Sequence, residues 1–150
     1  MSLRIPYDTI KETVKKAFLN VGLSEEQAEV CATIHTQSSA DGVESHGLNR
    51  IPRFVEYVQK GWINLEGKPE LAGARGAVEN YDGHLGIGIT NALFCADRAM
   101  ELAKEHGIGC VTLKNTTHWM RGGNYAWRMA EAGFKGISWI NTESCIPLCG

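Results

Sequence analysis

The stretch AVENYDGHLGIGITNALFCADRAMELAKEHGIGCVTL, residues 77–113, decides the fold class of this 150-residue chain. Residues 77–81 alternate in part between apolar and polar side chains, which predicts a strand that ends in a turn at Asp82 and Gly83. Small apolar residues at helical spacing follow, and residues 110–113 then predict a buried strand. The helical stripe comprises Ala92, Cys95, Ala96, Ala99 and Ala103. A strand, a helix and a second strand in this order are typical of an α/β core.

Three helices are predicted before this core, because apolar residues recur there at helical spacing. The first covers residues 6–21, and the second runs from a capping box that begins at Ser24 to about Asp41. The third follows a turn at residues 45–47 and ends at Gly61. The N-terminal part of the chain is therefore predicted to be helical.

The segments on either side of the core stretch complete the predicted order. Residues 62–76 predict an irregular connection rich in glycine and lysine, residues 124–132 a short helix, and residues 137–141 a further strand. Three helices thus lead into a β-α-β-α-β series. We divide the chain into an N-terminal helical segment, residues 1–61, and the first part of an α/β core, residues 62–150.

The composition is that of an ordinary globular protein, with 43% hydrophobic residues, 21% charged residues and a net charge of -2. Nucleic acid and anionic membrane surfaces are therefore not expected as partners. The five cysteines are an odd number and lack the short spacings of a disulfide framework, which predicts free thiols. Because the chain has no signal sequence and no apolar run of about 18 residues, we expect it to be cytoplasmic.

His46 is the first candidate for chemistry, in the sequence Ser45-His46-Gly47 at a predicted turn between two helices. An imidazole titrates near neutral pH and is able to give a proton to a carbonyl oxygen while hydride adds to the carbon. The Ser45 hydroxyl is suited to orient that ring, and Arg50 to hold a carboxylate through two hydrogen bonds. By spacing alone, a turn histidine that caps a helix is the simpler interpretation.

A second candidate is the loop of residues 115–125, between a predicted strand and the next helix. In α/β proteins such loops carry chemistry, because the carboxyl ends of strands open onto a crevice. His118 and Arg121, with the two glycines that follow, offer a charged clamp with accessible backbone amides. The alternative is a solvated loop with Trp119 and Met120 packed beneath it.

The glycines of residues 83–88 do not form a dinucleotide fingerprint. Their order is G-x-x-G-x-G, whereas the Rossmann order is G-x-G-x-x-G. We therefore predict a turn and a helix start at this position.

No metal site is predicted, because the histidines and cysteines lack ligand spacing. Cys145 and Cys149 are four residues apart but follow a predicted strand. His35 shares a helical stripe with Cys31 and is predicted to be a core histidine, and His106 is predicted to complement a helix C-terminus. No cysteine has a neighbouring base, so a nucleophilic thiol is not expected.

Residues 41–50, 115–125 and 146–150 together resemble the type 2 malate/L-lactate dehydrogenase family, and the resemblance covers the whole chain in order. The run HWMRGG at 118–123 is most similar to family members that reduce a 2,3-dioxo sugar acid. The resemblance implies a homodimer, NAD or NADP as cofactor, and a nucleotide-binding domain that is largely antiparallel and not of the Rossmann type. Family members are more than twice as long, so we expect the protein to continue beyond Gly150.

The same resemblance implies roles for individual residues. His46 is the proton donor, His118 is an active-site histidine, and Thr142, beside Asn141, is a cofactor contact. Three further residues are assigned to substrate orientation on chemical grounds: Ser45, Arg50 and Arg121. We therefore predict hydride transfer from NADH, or else NADPH, to a ketone carbon of a 2-oxo or 2,3-dioxo acid.

Three alternatives to this prediction stay open. Within the family, the substrate is instead malate, L-lactate or ureidoglycolate. Outside it, the chain is a folding and dimerisation unit without catalysis, or a metal-dependent lyase or hydrolase with His46 and His118 as ligands.

Overall fold

The computed structural model describes residues 4–141 of the chain. Two short 3₁₀ turns, Glu44–His46 and Leu48–Arg50, join the second helix to the third. None of the described helices has the length and apolar character needed to cross a membrane. In chain order the regular elements are α1 (Tyr7–Asn20), α2 (Glu25–Ala40), α3 (Ile51–Gln59), β1 (Glu70–Arg75), β2 (Val78–Gly86), α4 (Gly88–His106), β3 (Cys110–Thr116) and α5 (Gly123–Glu131).

The three N-terminal helices are confirmed, with ends close to the predicted ones. Ser24 Oγ accepts a hydrogen bond from the Gln27 amide at 3.2 Å, and the Gln27 side chain accepts one from the Ser24 amide at 2.9 Å. This capping box starts α2. α3 carries Pro52 in its first turn and is followed by Gly61, whose φ of 69° glycine adopts without strain.

The three strands form one mixed sheet in the order β1-β2-β3. β1 and β2 are antiparallel neighbours, whereas β2 and β3 are parallel and are connected through α4. A parallel pair needs such a crossover, because a tight turn reverses the chain direction. The strand, helix and strand predicted within residues 77–113 are thus confirmed, as is the mixed α/β class with a helical N-terminal segment. The prediction that the second of these strands is buried is wrong, because every residue of β3 is exposed or half-buried in the described part of the chain.

The prediction of an irregular connection over residues 62–76 is wrong in its second half, where β1 lies. Gly76 and Ala77 alone separate β1 from β2, and Gly76 has a φ of 57°. A two-residue loop with a glycine at positive φ is typical of a hairpin. The small residues of β1 have low strand propensity, so the sequence does not reveal this strand.

The turn predicted at Asp82 and Gly83 is also wrong, because β2 continues to Gly86. Asp82 is paired with both neighbouring strands, and the register against β3 shifts beyond it, between Asp82 and Gly86. In the shifted segment His84 has a φ of 49°. The Asp-Gly pair therefore marks a bulge within a central strand, and pairing with β3 resumes at Gly86.

The strand predicted over residues 137–141 is not present, since these residues have no regular structure and are exposed. Ile137 is 75% exposed and Trp139 is 83% exposed. Alternating apolar residues predict a strand, but a strand also needs a neighbour to bond to. No described strand pairs with this segment.

The main core is built from both parts of the chain. Its buried members include Phe18, Cys31 and Phe54 from the helical segment and Ile87, Ile89 and Met120 from the α/β part. A smaller cluster under α5 contains Tyr125 and Met129. The shared core fixes the α2–α3 turn relative to the loop that follows β3. The boundary between residues 1–61 and 62–150 stays a prediction.

A buried carboxylate links β2 to α4. Glu79 accepts two hydrogen bonds from the Arg98 guanidinium and one from the Tyr81 hydroxyl, each at 2.7 Å. These partners, Arg98 first and then Tyr81, lower the pKa of Glu79 to about 2. The carboxylate therefore stays charged in the folded protein throughout the ordinary pH range.

We expect Glu79→Gln to lower the free energy of unfolding by about 1.5–3 kcal/mol, the usual contribution of hydrogen bonds to a charged group. Because the folded-state pKa is depressed, this stabilisation is present in full above the ordinary carboxyl pKa and is lost as the pH falls towards about 2. Urea denaturation at neutral and at acidic pH measures both effects. The control is Asp97→Asn, which breaks an exposed pair with Arg128 and should cost under about 1 kcal/mol. A Glu79→Gln penalty that is equally large in acid contradicts this assignment.

Candidate active site

His46 lies at the end of the 3₁₀ turn between α2 and α3. Its Nδ1 is 2.8 Å from the Ser45 hydroxyl, and the Ser45 carbonyl accepts a hydrogen bond from Arg50 Nε at 2.7 Å. Within residues 4–141, Nε2 of His46 has no hydrogen-bond partner. Ser45 is thus placed to orient the imidazole, and the hydrogen bond from Arg50 stabilises the turn.

This turn is fixed against α2 by close contacts. The Ser39 hydroxyl accepts a hydrogen bond from the Leu48 amide at 2.9 Å and fills the space that a Cβ on Gly47 would need. The ring of His35 bonds to the Gly47 carbonyl through Nδ1 at 3.0 Å. His35 is fully buried among aromatic rings, so its predicted place in the core is confirmed. The expectation that the ring is fully hydrogen-bonded is wrong, because its buried Nε2 has no partner among the described residues.

His118 lies in the loop between β3 and α5, where the sequence predicted chemistry. Its Nδ1 accepts a hydrogen bond from the Met120 amide at 2.9 Å. The neutral ring therefore carries its proton on Nε2, which leaves an N–H donor directed away from this backbone contact. Met120 follows with a φ of 64°. Its side chain is buried in the main core and anchors the loop there. Trp119 is half-buried and stacks on the Tyr125 ring.

The two imidazoles share one cleft of about 520 Å³. Their ring centroids are 5.6 Å apart, and the ring planes are inclined by 31°. Arg121 and Ser138 add polar side chains to the lining. The remaining lining is apolar or glycine: Trp119, Met120, Gly122, Gly123, Ala126 and Ile140. Two titratable rings beside an apolar wall form a candidate site for acid-base chemistry.

The surroundings of both rings favour their neutral forms. Burial is the main cause that lowers the pKa of His46, and the positive charge of Arg50 adds to it. The pKa of His118 is lowered by partial burial first, and then by His46 and Arg50. The positive charge of a protonated His46 disfavours protonation of His118. Arg50 does not line the cleft, but its charge acts on both rings.

Arg121 lines the cleft, but its guanidinium is already paired. It donates a hydrogen bond to the carboxylate of Asp41, the C-cap residue of α2. Nearby, Asn124 Nδ2 donates to the Ser38 hydroxyl at 3.2 Å. These two contacts tie the start of α5 to α2. They join residues 80 and 86 positions apart, so sequence reasoning missed Asp41, Ser38 and Asn124.

The two residues predicted to bind the cofactor lie at the edge of the described structure. Asn141 is exposed and follows Ile140, which lines the cleft. Thr142 lies outside the described residues. Both assignments therefore stay predictions.

The glycines of residues 83–88 pack against the protein's own backbone. A Cβ on Gly88 would lie 2.5 Å from the His118 carbonyl oxygen, and one on Gly86 would overlap the Gly67 carbonyl. The predicted helix start is confirmed at Gly88, whereas β2 replaces the predicted turn before it. These glycines allow backbone segments to approach one another and leave no room there for a diphosphate.

Within residues 4–141, no three His, Cys, Asp or Glu side chains lie close enough together to hold a metal ion. His46 and His118 provide two ligands, and one nitrogen of His118 already accepts a backbone hydrogen bond. The geometry thus gives no support to the metal-dependent alternative.

Two of the described cysteines are held as unreactive thiols by burial. Cys31, Cys95 and Cys110 are free thiols. Burial raises the pKa of Cys31 to about 12 and that of Cys95 to about 11, which disfavours the thiolate. Cys145 and Cys149 lie outside the described residues.

Comparison with known proteins identifies the family of this chain. The family model described as malate/L-lactate dehydrogenase matches residues 5–150. The chain belongs to the malate/L-lactate dehydrogenase family. The 2,3-diketo-L-gulonate reductases of Haemophilus influenzae and Klebsiella pneumoniae are 42% and 41% identical to this family member over 148 residues. The match covers 99% of this chain and 45% of each relative, so the chain spans under half of the length of these proteins.

Solved structures agree with this family assignment. Malate dehydrogenase from Pyrococcus horikoshii OT3 aligns with a TM-score of 0.84 and 30% identity over 87% of this chain and 38% of that one. The fold and the family predicted from the sequence are therefore confirmed, including the similarity to the diketogulonate reductases.

Proposed function

We propose that the complete protein transfers hydride from a nicotinamide cofactor to the ketone carbon of a 2-oxo acid, and that its substrate is a 2,3-dioxo sugar acid. The observation that carries this proposal is the pair of imidazoles 5.6 Å apart beside an apolar wall. Similarity to 2,3-diketo-L-gulonate reductases supports the sugar acid. Malate, L-lactate and ureidoglycolate are the alternative substrates within the family.

In this proposal the chain supplies the proton and the environment of the reaction. A bound reduced nicotinamide supplies the hydride. His46 Nε2 donates a proton to the carbonyl oxygen as negative charge develops there. The Ser45 hydroxyl, 2.8 Å from Nδ1, fixes the orientation of the ring. In the reverse direction the neutral imidazole accepts the proton from the hydroxyl group.

His118 has a supporting role in the same proposal. Because its Nδ1 accepts a backbone hydrogen bond, Nε2 is the donor in the neutral ring. That donor is suited to bind an oxygen of the substrate beside His46.

The cleft fits the nicotinamide end of the cofactor and the reacting carbonyl. Its apolar side, with Trp119 and Ala126, is suited to a flat uncharged ring. The diphosphate does not fit there, because Arg121 is paired with Asp41 and the glycines of 83–88 are packed against backbone. We therefore place the diphosphate outside residues 4–141.

The proposal is tested by following oxidation of NADH and of NADPH by the complete protein. The panel contains 2,3-diketo-L-gulonate, oxaloacetate and pyruvate, each at several concentrations. We expect the highest kcat/KM for the dioxo sugar acid. Oxaloacetate or pyruvate as the best substrate would select a related activity of the family, and no oxidation with any acid would reject the reductase proposal.

The pH dependence of this reaction follows from the lowered pKa of the His46 ring. Reduction needs the protonated imidazole, so kcat/KM for reduction should fall as the pH rises, with a midpoint below 6.5. Oxidation of the hydroxy acid needs the neutral ring and should rise through the same range. Arg50→Gln removes a positive charge and should shift the midpoint upward. Steady-state rates of reduction and oxidation across the pH range measure both dependences. A midpoint above 6.5 in the unmodified protein contradicts the assignment of His46 as the proton donor.

We further propose NADH as the preferred cofactor, a homodimer as the assembly and the cytoplasm as the location. The first two are what the resemblance to the type 2 malate/L-lactate dehydrogenases implies. The free thiols of the described cysteines are compatible with the reducing cytoplasm. Kinetics with both cofactors and sedimentation analysis of the complete protein test cofactor choice and assembly.

A further inference from the structure

Asp41 neutralises the positive charge that Arg121 would otherwise present to a ligand. Arg121 lines the cleft and, unpaired, would present a full positive charge there. Instead its guanidinium donates to Asp41, whose other carboxylate oxygen accepts a hydrogen bond from Gln37 Nε2 at 2.7 Å. Gln37 and Arg121, in that order, lower the pKa of Asp41, so this carboxyl group is charged.

The pair is held in place by the surrounding structure. Gly123 lies under the guanidinium, since a Cβ there would be 3.1 Å from Arg121 Nε. Asn124 separately bonds to Ser38 and keeps the start of α5 on α2. Loss of the Asp41 charge would therefore alter the electrostatics of the cleft while this second contact still holds the loop.

The two arginines near the cleft thus differ in net effect. The charge of Arg50 acts on both imidazoles and is suited to attract the carboxylate next to a reacting ketone. The Arg121–Asp41 pair carries no net charge but keeps hydrogen-bond donors and acceptors. Hydroxyl groups, which both donate and accept, match such a pair, whereas a second carboxylate finds no net positive charge there to attract it.

We propose that Asp41 is a specificity-determining residue that selects 2-oxo acids with a neutral, hydroxylated far end over dicarboxylic acids. It acts by neutralising Arg121 in the cleft wall. This inference rests on the proposed function only in that the ligand is a 2-oxo or 2-hydroxy acid.

The test compares the binding of L-glycerate, which has a neutral hydroxyl, with that of L-malate, which has a second carboxylate. Asp41→Asn keeps an oxygen acceptor for Arg121 and removes the charge. Calorimetric titration of the complete protein should show that this variant shifts the affinity ratio towards malate by about tenfold, the size expected from one nearby charge. The shift should shrink as salt is added, because screening weakens it. A merely structural role of Asp41 would not depend on salt in this way.

Asp97→Asn is the matched control, because Asp97 also pairs with an arginine on the α5 side, Arg128, but does not line the cleft. Its affinity ratio should equal that of the unmodified protein. An unchanged ratio in Asp41→Asn, or an equal change in Asp97→Asn, overturns the proposal. If Asp41→Asn weakens both acids equally, Asp41 is only a tether and the proposal is also wrong. Asp41→Ser serves as a second neutral variant with the same expected shift.

Binding does not require turnover, so the two proposals fail separately. A changed ratio without oxidation of NADH or NADPH by any keto acid would reject the reductase function and leave the role of Asp41 in place. With an active enzyme, kcat/KM for oxaloacetate relative to 2,3-diketo-L-gulonate should rise about tenfold in Asp41→Asn. An active enzyme without that rise would reject the role of Asp41 alone.

Discussion

Replacement of His46 by Ala in the complete protein is expected to lower kcat for keto-acid reduction by about 10²- to 10⁴-fold, the usual contribution of a positioned general acid. The imidazole is half-buried in the cleft and oriented by Ser45, so its removal takes away a positioned proton donor. KM should change little, because the ring acts mainly on charge that develops in the transition state. Steady-state kinetics with the best substrate of the panel measure both parameters.

Two further variants show whether that loss belongs to the proton donor. His84→Ala removes an exposed histidine that pairs with Glu70 and does not line the cleft, so kcat should be unchanged. His118→Ala should raise KM and lower kcat less than His46→Ala does. The fall of kcat/KM for reduction with rising pH identifies the proton donor. If His118→Ala abolishes that fall while His46→Ala retains it, the roles of the two rings are reversed.

The helices were predictable because their signals are local. Ser24 and Gln27 specify the start of α2 within four residues, and Gly107, with a φ of 80°, ends α4 in the same local manner. The position of His46 on a turn was predictable for the same reason. Its interest as a proton donor came from the types of its neighbours and from the family resemblance, not from spacing.

The rest of the fold and site depends on partners distant in the sequence. The middle of β1 is Ala72-Gly73-Ala74, and the segment becomes a strand because β2 lies beside it. Residues 137–141 alternate as a strand would, but they have no described neighbour. The approach of His118 to His46 requires α2, the start of α4 and the loop after β3 to share one core. Arg121 was predicted to face a ligand, but no pattern in the sequence signals that Asp41 neutralises it.

Gly88 is the point at which the fold determines the position of His118. Its amide donates to the Thr117 hydroxyl at 2.9 Å, and its Cα touches the backbone of the loop. A Cβ there would overlap the Thr117 carbonyl oxygen and lie 2.5 Å from both the carbonyl carbon and the carbonyl oxygen of His118. Because these are backbone atoms, a larger residue displaces the whole loop and not a flexible side-chain end.

Gly88→Ala is therefore expected to lower kcat by about 10²-fold, the loss typical of a displacement of about 1 Å at a catalytic group. It should also lower the free energy of unfolding by about 1–3 kcal/mol, because the added methyl overfills a packed site. Gly107→Ala separates the two effects: its φ of 80° strains an alanine, but no atom lies within 4 Å of the new Cβ. That control should lose stability and keep kcat. If Gly88→Ala loses stability alone, the rigid placement of His118 does not matter for the reaction, and the supporting role proposed for that ring is wrong.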